Sequence, residues 1–324
     1  MSDTAKSCFR ADTLDDLMRL VIEEILAHGD PIHPTKGWAI ELTGALLELT
    51  NPRARLSRTE TRGKLFSCLG ELCWYLAKNN DLEFILYYIQ DYEQYADGGK
   101  IFGGYGPRLF NWHGLDQVAK IVDLLREKPD SRQAVIQIFD RTDILDEHKD
   151  IPCTCTLQFL LRDEKLHLLT NMRSNDAYLG LPHDIFCFTM LQEIIARSLS
   201  VDVGTYKHAV GSLHVYARNL DALKRFLGEG WQATVEVAMP NMPNGNPWPG
   251  VEQLLKVESG LRSTGTFDDG ILNAASPYWA DLMRLLHVFK CKKPPDKSKI
   301  RELLGGMAFR VYAPFVEKVL SDLA

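Results

Sequence analysis

The run HDIFCFTMLQEIIARSL, residues 183–199, constrains this chain more than any other stretch. It reads as a helix, and it is apolar on nearly every face, so it belongs inside a folded core. Its neighbours are of a different kind. AVIQIFD (134–140), TLQFLLRD (156–163) and KLHLLTNM (165–172) precede it as short β-like runs separated by turn signals, and TYKHAVGSLHVYA (205–217) returns to strand after it. There is no repeat, no low-complexity segment and no linker. Strands alternating irregularly with helices predict one α+β domain over residues 1–324, with a mixed sheet flanked by helices, rather than a doubly wound sheet.

Elsewhere TLDDLMRLVIEEILAH (13–28) predicts an amphipathic helix capped by Thr13, with acids in its first turn. IELTGALLEL (40–49) predicts a strand, ETRGKLFSCLGELCWYLA (60–77) a buried helix, and residues 113–127 a further helix. MPNGNPWPG (242–250) has loop composition, and Ser276-Pro277 opens another helix.

A hydrophobic share of 45% in 324 residues is enough for a large core without staples. The formal net charge of −6 argues against bulk nucleic-acid binding and leaves room for a local basic pocket that takes one phosphate. No run is apolar and long enough for a membrane-spanning helix, and the first residues lack the apolar core of a signal peptide. Seven cysteines, an odd number without framework spacing, favour free thiols in a reducing cytoplasm.

Cys153, in DIPCTCTLQF (150–159), has two readings. Most free cysteines are small buried hydrophobes. A nucleophile needs cationic neighbours that favour the thiolate, and Arg132 and Arg173 lie on segments able to converge with it. A metal site from His148, Cys153 and Cys155 lacks a second pair of ligands to complete a tetrahedron, so no metal is expected. Gly103-Gly104-Tyr105-Gly106-Pro107 lacks the lysine and spacing of a phosphate-binding loop and reads as a close backbone approach. Asp184 either caps the apolar helix or accepts hydrogen bonds from an amino group in a pocket. His214 and Tyr216 alternate on one strand face, as core residues or as a pair that holds a sugar.

PDSR (129–132), IPC (151–153), MRSNDAYLGLPHDI (172–185) and GSLHVYARN (211–219), in that order, resemble the thymidylate synthase family. The resemblance is strongest over 129–219, the core of a best-matching region of about 60–225. It reaches weakly to GELCWYL (70–76) and YADGGKIFGGYG (95–106), and it is poor over the first fifty residues and after about 225. It implies a homodimer in which sheet faces pack together, and a reaction between a pyrimidine nucleotide monophosphate and 5,10-methylenetetrahydrofolate. Cys153 matches the nucleophile that adds to C6 of the base, and Glu71 the acid that organises water and proton transfers. Arg173 and Ser174 match phosphate ligands, and Arg132 an arginine that reaches the phosphate from the neighbouring subunit. Lys36 in HPTKGW (33–38) is a substitute for the family's N-terminal phosphate arginine. His214 and Tyr216 match the pair on the sugar hydroxyl. Asp176 matches a position associated with the pterin, and Tyr92, Tyr95, Leu179 and Gly180 fall on the cofactor wall.

Three departures from the family pattern bear on the substrate. Asp184 stands where thymidylate synthases have an asparagine that reads uracil, and aspartate there marks cytidylate hydroxymethylases. A carboxylate accepts from a 4-amino group and from a protonated N3, but offers uracil O4 no donor. Tyr92 and Tyr95 stand at tryptophan positions, and VYAPFVEKVLSDLA differs from the usual closing tail, both compatible with a site that admits water. Gln133 replaces a second arginine, and Thr154 the histidine that usually follows the nucleophile.

The resemblance therefore implies a cytidylate 5-hydroxymethylase acting on CMP or dCMP through a covalent cysteine adduct, in the cytoplasm, for nucleotide or nucleoside-antibiotic synthesis. The alternatives are a thymidylate synthase that methylates dUMP, and a catalytically silent relative that binds nucleotide or RNA.

Overall fold

In a computed structural model, which describes residues 5–59, 64–230 and 237–323, seven strands form one sheet among the described residues. They are β1 (Cys8–Ala11), β2 (Asp30–Ile32), β3 (Ala39–Leu49), β4 (Val135–Gln137), β5 (Thr154–Arg162), β6 (Lys165–Asp176) and β7 (Asp202–Tyr216). The order is β1-β3-β7-β6-β5-β4, with β2 paired to β3. β3 with β7, β6 with β5, and β5 with β4 are antiparallel, whereas β1–β3 and β6–β7 are parallel. The sheet is therefore mixed, as an α+β chain requires.

The helices are α1 (Leu14–His28), α2 (Leu65–Leu76), α3 (Leu82–Leu86), α4 (Tyr105–Phe110), α5 (Gln117–Glu127), α6 (Leu181–Ser198), α7 (Leu220–Gly228), α8 (Trp248–Ser263), α9 (Asp269–Ala274), α10 (Pro277–Lys290), α11 (Lys297–Gly305) and α12 (Ala313–Asp322). The all-apolar run becomes α6, the crossover between parallel strands β6 and β7. It packs on both strands and on α2, which explains why fifteen of its residues, Leu181, Pro182 and the run from Ile185 to Arg197, are buried. Thr13 caps α1 by accepting from the Asp16 amide, as its sequence predicts. The expected 113–127 helix begins only at Gln117, because residues 112–115 form a turn and Asp116 is the cap. In the 242–250 loop, Trp248 already opens α8. Residues 60–63 of the predicted 60–77 helix lie outside the described residues, and the helix runs from Leu65.

A buried ion cluster ties the chain to the core helix. Glu193 of α6 accepts from Arg53 Nε at 2.8 Å and from the Met242 amide at 3.0 Å, and it also bonds Arg55 Nη2. Removing one partner from such a group leaves a buried charge uncompensated, at about 3–5 kcal/mol. One hydrophobic cluster runs from Phe9 to Val319, so the helices after Trp248 share the core of the sheet region. α8 and α10 pack against α2, where the Tyr88 hydroxyl donates to Glu258 of α8 at 3.0 Å. Gly70 is obligatory at that contact, since a Cβ there would lie 2.1 Å from the Tyr88 ring. On the other face of the sheet, Leu46, Ala209, Leu169 and Gln158 share one side through their register and are not fully buried.

Candidate active site

The C-terminal ends of β6 and β7, the first turn of α6, α2 and the segment 88–105 enclose a cavity of about 790 Å³. The volume lies within the range of small-molecule sites. Cys153, Glu71, Asp184, Arg173, Ser174, His214, Tyr216, Lys36, Asp176, Tyr92, Tyr95, Leu179 and Gly180 all line it. Arg132 does not. It is exposed in the turn before β4, where its carbonyl accepts from Gln158 Nε2 at 3.0 Å. Of the two arginines expected beside Cys153, only Arg173 converges with it within the chain.

Cys153 sits one residue ahead of β5, next to an irregularity in the β5–β6 pairing. Arg173 donates to the carbonyls of Pro152 at 3.0 Å and Ile151 at 2.9 Å, and its Nη2 lies 3.7 Å from Cys153 Sγ. Burial pushes the thiol above its ordinary pKa, against the pull of Arg173. Thr154 turns away from the cavity, its hydroxyl donating to Tyr105 at 3.0 Å. His148, once a candidate metal ligand, stacks on Phe102 at 3.5 Å. Gly106 makes the close backbone approach that this glycine-rich segment predicts, since a Cβ there would lie 2.5 Å from the Asn79 carbonyl oxygen, whereas Gly103 faces the Asp150 side chain. Among the described residues no group of three His, Cys, Asp or Glu is arranged to hold a metal.

Glu71 lies at the buried end of the cavity. Its Oε1 accepts from Tyr75 at 2.8 Å and Tyr92 at 2.7 Å, and its Oε2 is 2.6 Å from His183 Nδ1. Burial alone would raise Glu71, but His183 and the two phenols outweigh it and hold the carboxyl below its ordinary value. Tyr92 therefore points its polar tip at Glu71, while its ring meets Trp74 edge-on at 5.5 Å.

Asp184 is not the cap of α6. Gly180 holds the cap position, and the Asp184 side chain accepts from Asn175 Nδ2 at 2.7 Å. Asn175 Oδ1 is buried without a partner among the described residues. Burial, with the nearby Glu71 charge, raises Asp184 to about 7.

At the other side, His214 and Tyr216 meet edge-on at 4.9 Å at the end of β7. The Lys36 ammonium stands 4.0 Å from the Tyr95 ring, and Arg218 donates to the Lys36 carbonyl at 2.9 Å. Asp176 Oδ1 accepts from the amides of Tyr178 and Leu179, both at 2.8 Å, which shapes the turn into α6. His183, Asn175 and Arg218 also line the cavity and were not singled out from the sequence. Asn175 and His183 fall within MRSNDAYLGLPHDI and Arg218 within GSLHVYARN, and those motifs are the signal that points to them. No described residue beyond Arg218 lines the cavity.

The sequence profile described as thymidylate synthase matches residues 21–244, further toward both ends than the motifs reach. The deoxyuridylate hydroxymethyltransferase of Bacillus phage SP01 is 32% identical over 211 residues, 60% of this chain and 55% of that protein. The thymidylate synthase of Symbiobacterium thermophilum is 34% identical over 182 residues, 51% of this chain and 64% of that protein. That of Mycoplasma genitalium is 30% identical over 145 residues, 44% of this chain and 49% of that protein. The chain thus spans between 49% and 64% of the lengths of these relatives. With the profile covering more than half of its residues, the chain belongs to the thymidylate synthase family.

Proposed function

We propose that this chain is a cytidylate 5-hydroxymethylase, joining a one-carbon unit and water to C5 of CMP or dCMP. The observation that carries the reading is the buried Asp184 carboxyl, anchored by Asn175 on the wall of the cavity that also holds Cys153 and Glu71. Such a carboxyl accepts from a 4-amino group, and its proton serves N3 of cytosine. With Asp184 raised to about 7, that proton is at hand near neutral pH.

On this reading Cys153 adds as thiolate to C6 of the base, beside Arg173, and C5 becomes nucleophilic. Methylenetetrahydrofolate, when bound against Tyr92, Tyr95, Asp176, Leu179 and Gly180, supplies a carbon at the oxidation level of formaldehyde. Glu71 takes a proton from the water whose oxygen bonds to that carbon. C5 bonds to that carbon, the carbon's bond to the folate nitrogen breaks and C5 releases its hydrogen as a proton; once water has added, Cys153 leaves C6 as a thiolate and the C5–C6 double bond returns. No hydride moves, which makes tetrahydrofolate rather than dihydrofolate the second product. The Tyr92 hydroxyl on Glu71 supports water at this point, because a phenol oxygen can both donate and accept, whereas an indole has one N–H and no acceptor.

Lys36, Arg173 and Ser174 serve the phosphate, and His214 with Tyr216 the sugar. Arg132 completes the phosphate site of a second copy, which makes the working form a homodimer. The partly covered sheet face around Leu169 and Ala209 supports that packing. We read residues 1–324 as one domain, in keeping with the single core cluster, and the free cysteines suit the cytoplasm.

A second reading, hydroxymethylation of deoxyuridylate, has the name of the phage relative in its favour. A protonated Asp184 can also donate to O4 while accepting from N3–H. The deciding experiment offers CMP, dCMP, UMP and dUMP with methylenetetrahydrofolate and reads products by mass spectrometry. A gain of CH2O on a cytidylate supports the first reading. The same gain on dUMP alone supports the second, and a gain of CH2 on dUMP overturns both in favour of methylation.

A further inference from the structure

We infer that His183 stands as an imidazolium in the resting protein and is the positioning residue that keeps Glu71 a carboxylate, ready to take the proton of water. The inference rests on the hydroxymethylase reading for the use made of Glu71, and on hydrogen-bond bookkeeping for the charge of His183.

Two phenols donate to Glu71 Oε1, which favours the carboxylate form, and His183 Nδ1 lies 2.6 Å from Oε2. A carboxylate accepts only, so Nδ1 carries a hydrogen. On the far side of the ring, Nε2 lies 3.3 Å from Ser67 Oγ. The Ser67 hydroxyl spends its own hydrogen on the Lys64 carbonyl at 3.0 Å. Toward His183 it offers a lone pair, so Nε2 also carries a hydrogen. An imidazole with a hydrogen on both nitrogens is a cation.

The groups around the ring favour that charge. Glu71 and Cys68 face it from α2, Tyr75 and Tyr92 stand behind Glu71, and Asp184 and Cys187 lie on its own helix. Burial opposes the cation, but the Cys68 sulphur and the Glu71 carboxylate raise it to about 10. The consequence is a division of labour. Two carboxyls near one another tend to share a proton, and here the cation sits on one of them. His183 and the two phenols drive Glu71 down, while burial and the Glu71 charge raise Asp184 against the weaker pull of His183, so Glu71 is left as the base and Asp184 as the acid.

The test uses the full chain. Nitrogen-15 spectra of the histidines, with His183 assigned by its loss in His183→Gln, should show imidazolium shifts that persist beyond pH 8. A ring that gives up its proton near the ordinary histidine value overturns the inference. In His183→Phe the acid limb of the rate of hydroxymethyl formation should move up by about one to two pH units, the scale of losing an adjacent opposite charge. His183→Gln should recover part of that shift. An unmoved limb, or an even loss of rate at every pH, overturns the positioning role. Should His183→Phe fail to fold, the wild-type ring titration still decides the charge and His183→Gln the limb. If the wild type makes no hydroxymethyl nucleotide, the functional reading fails, while the ring titration decides the state of His183 by itself.

Discussion

Arg173 clasps the loop of Cys153: its guanidinium donates to the carbonyls on either side of the Ile151–Pro152 bond and reaches the Cys153 sulphur at 3.7 Å. One arginine thus sets the position of the thiol and supplies the cation nearest to it. Cys153→Ala should abolish exchange of the C5 hydrogen of a cytidylate with solvent while nucleotide binding stays measurable. Tritium release from C5-labelled nucleotide reads this directly, and exchange that survives the substitution removes Cys153 as the nucleophile.

Asp184→Asn should move base preference from cytidylate toward uridylate. An unpaired polar edge in a buried pocket costs about 1–3 kcal/mol, which is roughly a 5- to 150-fold change in relative kcat/KM. Competition between the two nucleotides in one reaction gives the ratio, and an unchanged ratio would reduce Asp184 to a structural residue.

The same substitution should alter how stability depends on pH. Asp184 is raised from 3.8 to about 7 in the folded chain, so between those values the folded state binds more protons than the unfolded one. Its contribution to stability therefore falls as pH rises through that window. Asp184→Asn removes the fall, and its Tm should exceed that of the wild type by more at pH 8 than at pH 4. Thermal unfolding at the two values checks the sign.

Tyr92 tests the origin of the hydroxyl in the product. Tyr92→Phe keeps the ring against Trp74 and removes the hydrogen bond to Glu71. The expected outcome is a slower addition of water, with kcat for the hydroxymethyl nucleotide reduced by about 10-fold or more, the usual scale for a positioned proton-transfer partner. Tyr92→Trp should divert part of the product to the methyl form, visible as dihydrofolate by absorbance. A product ratio identical to that of the wild type in both variants would separate Tyr92 from the water step.

Arg132→Ala should weaken nucleotide binding, although the residue lies outside the cavity of its own chain. Mixed with Cys153→Ala it should regain activity, because one kind of site in the hybrid carries neither lesion. Folded, dimeric mixtures that stay inactive would show that Arg132 serves no neighbouring site.

The fold was legible where a pattern is local. The apolar circumference of 183–199 and the alternation on either side of it led to α6 between β6 and β7. One part of the cavity wall was legible too, because Arg173 to Gly180 lie in one continuous motif. What stayed hidden were pairings between distant segments. His183 meets Glu71 across 112 positions, and a histidine in a helical first turn carries no mark of its partner. Asn175 was hidden for a different reason, since its amide acquires meaning only when α6 folds back and brings Asp184 beside it. The loop composition of 242–250 holds only as far as Pro247, because Pro249 falls in the first turn of α8, where proline is tolerated.

The helices from Trp248 onward stand behind α2 and contribute nothing described to the cavity wall. The chamber is a product of the first two-thirds of the chain, and the last third is its buttress. Substitutions in that buttress reach Glu71 through the contacts of α8 and α10 with α2, away from Asp184 and Cys153 on the cavity wall.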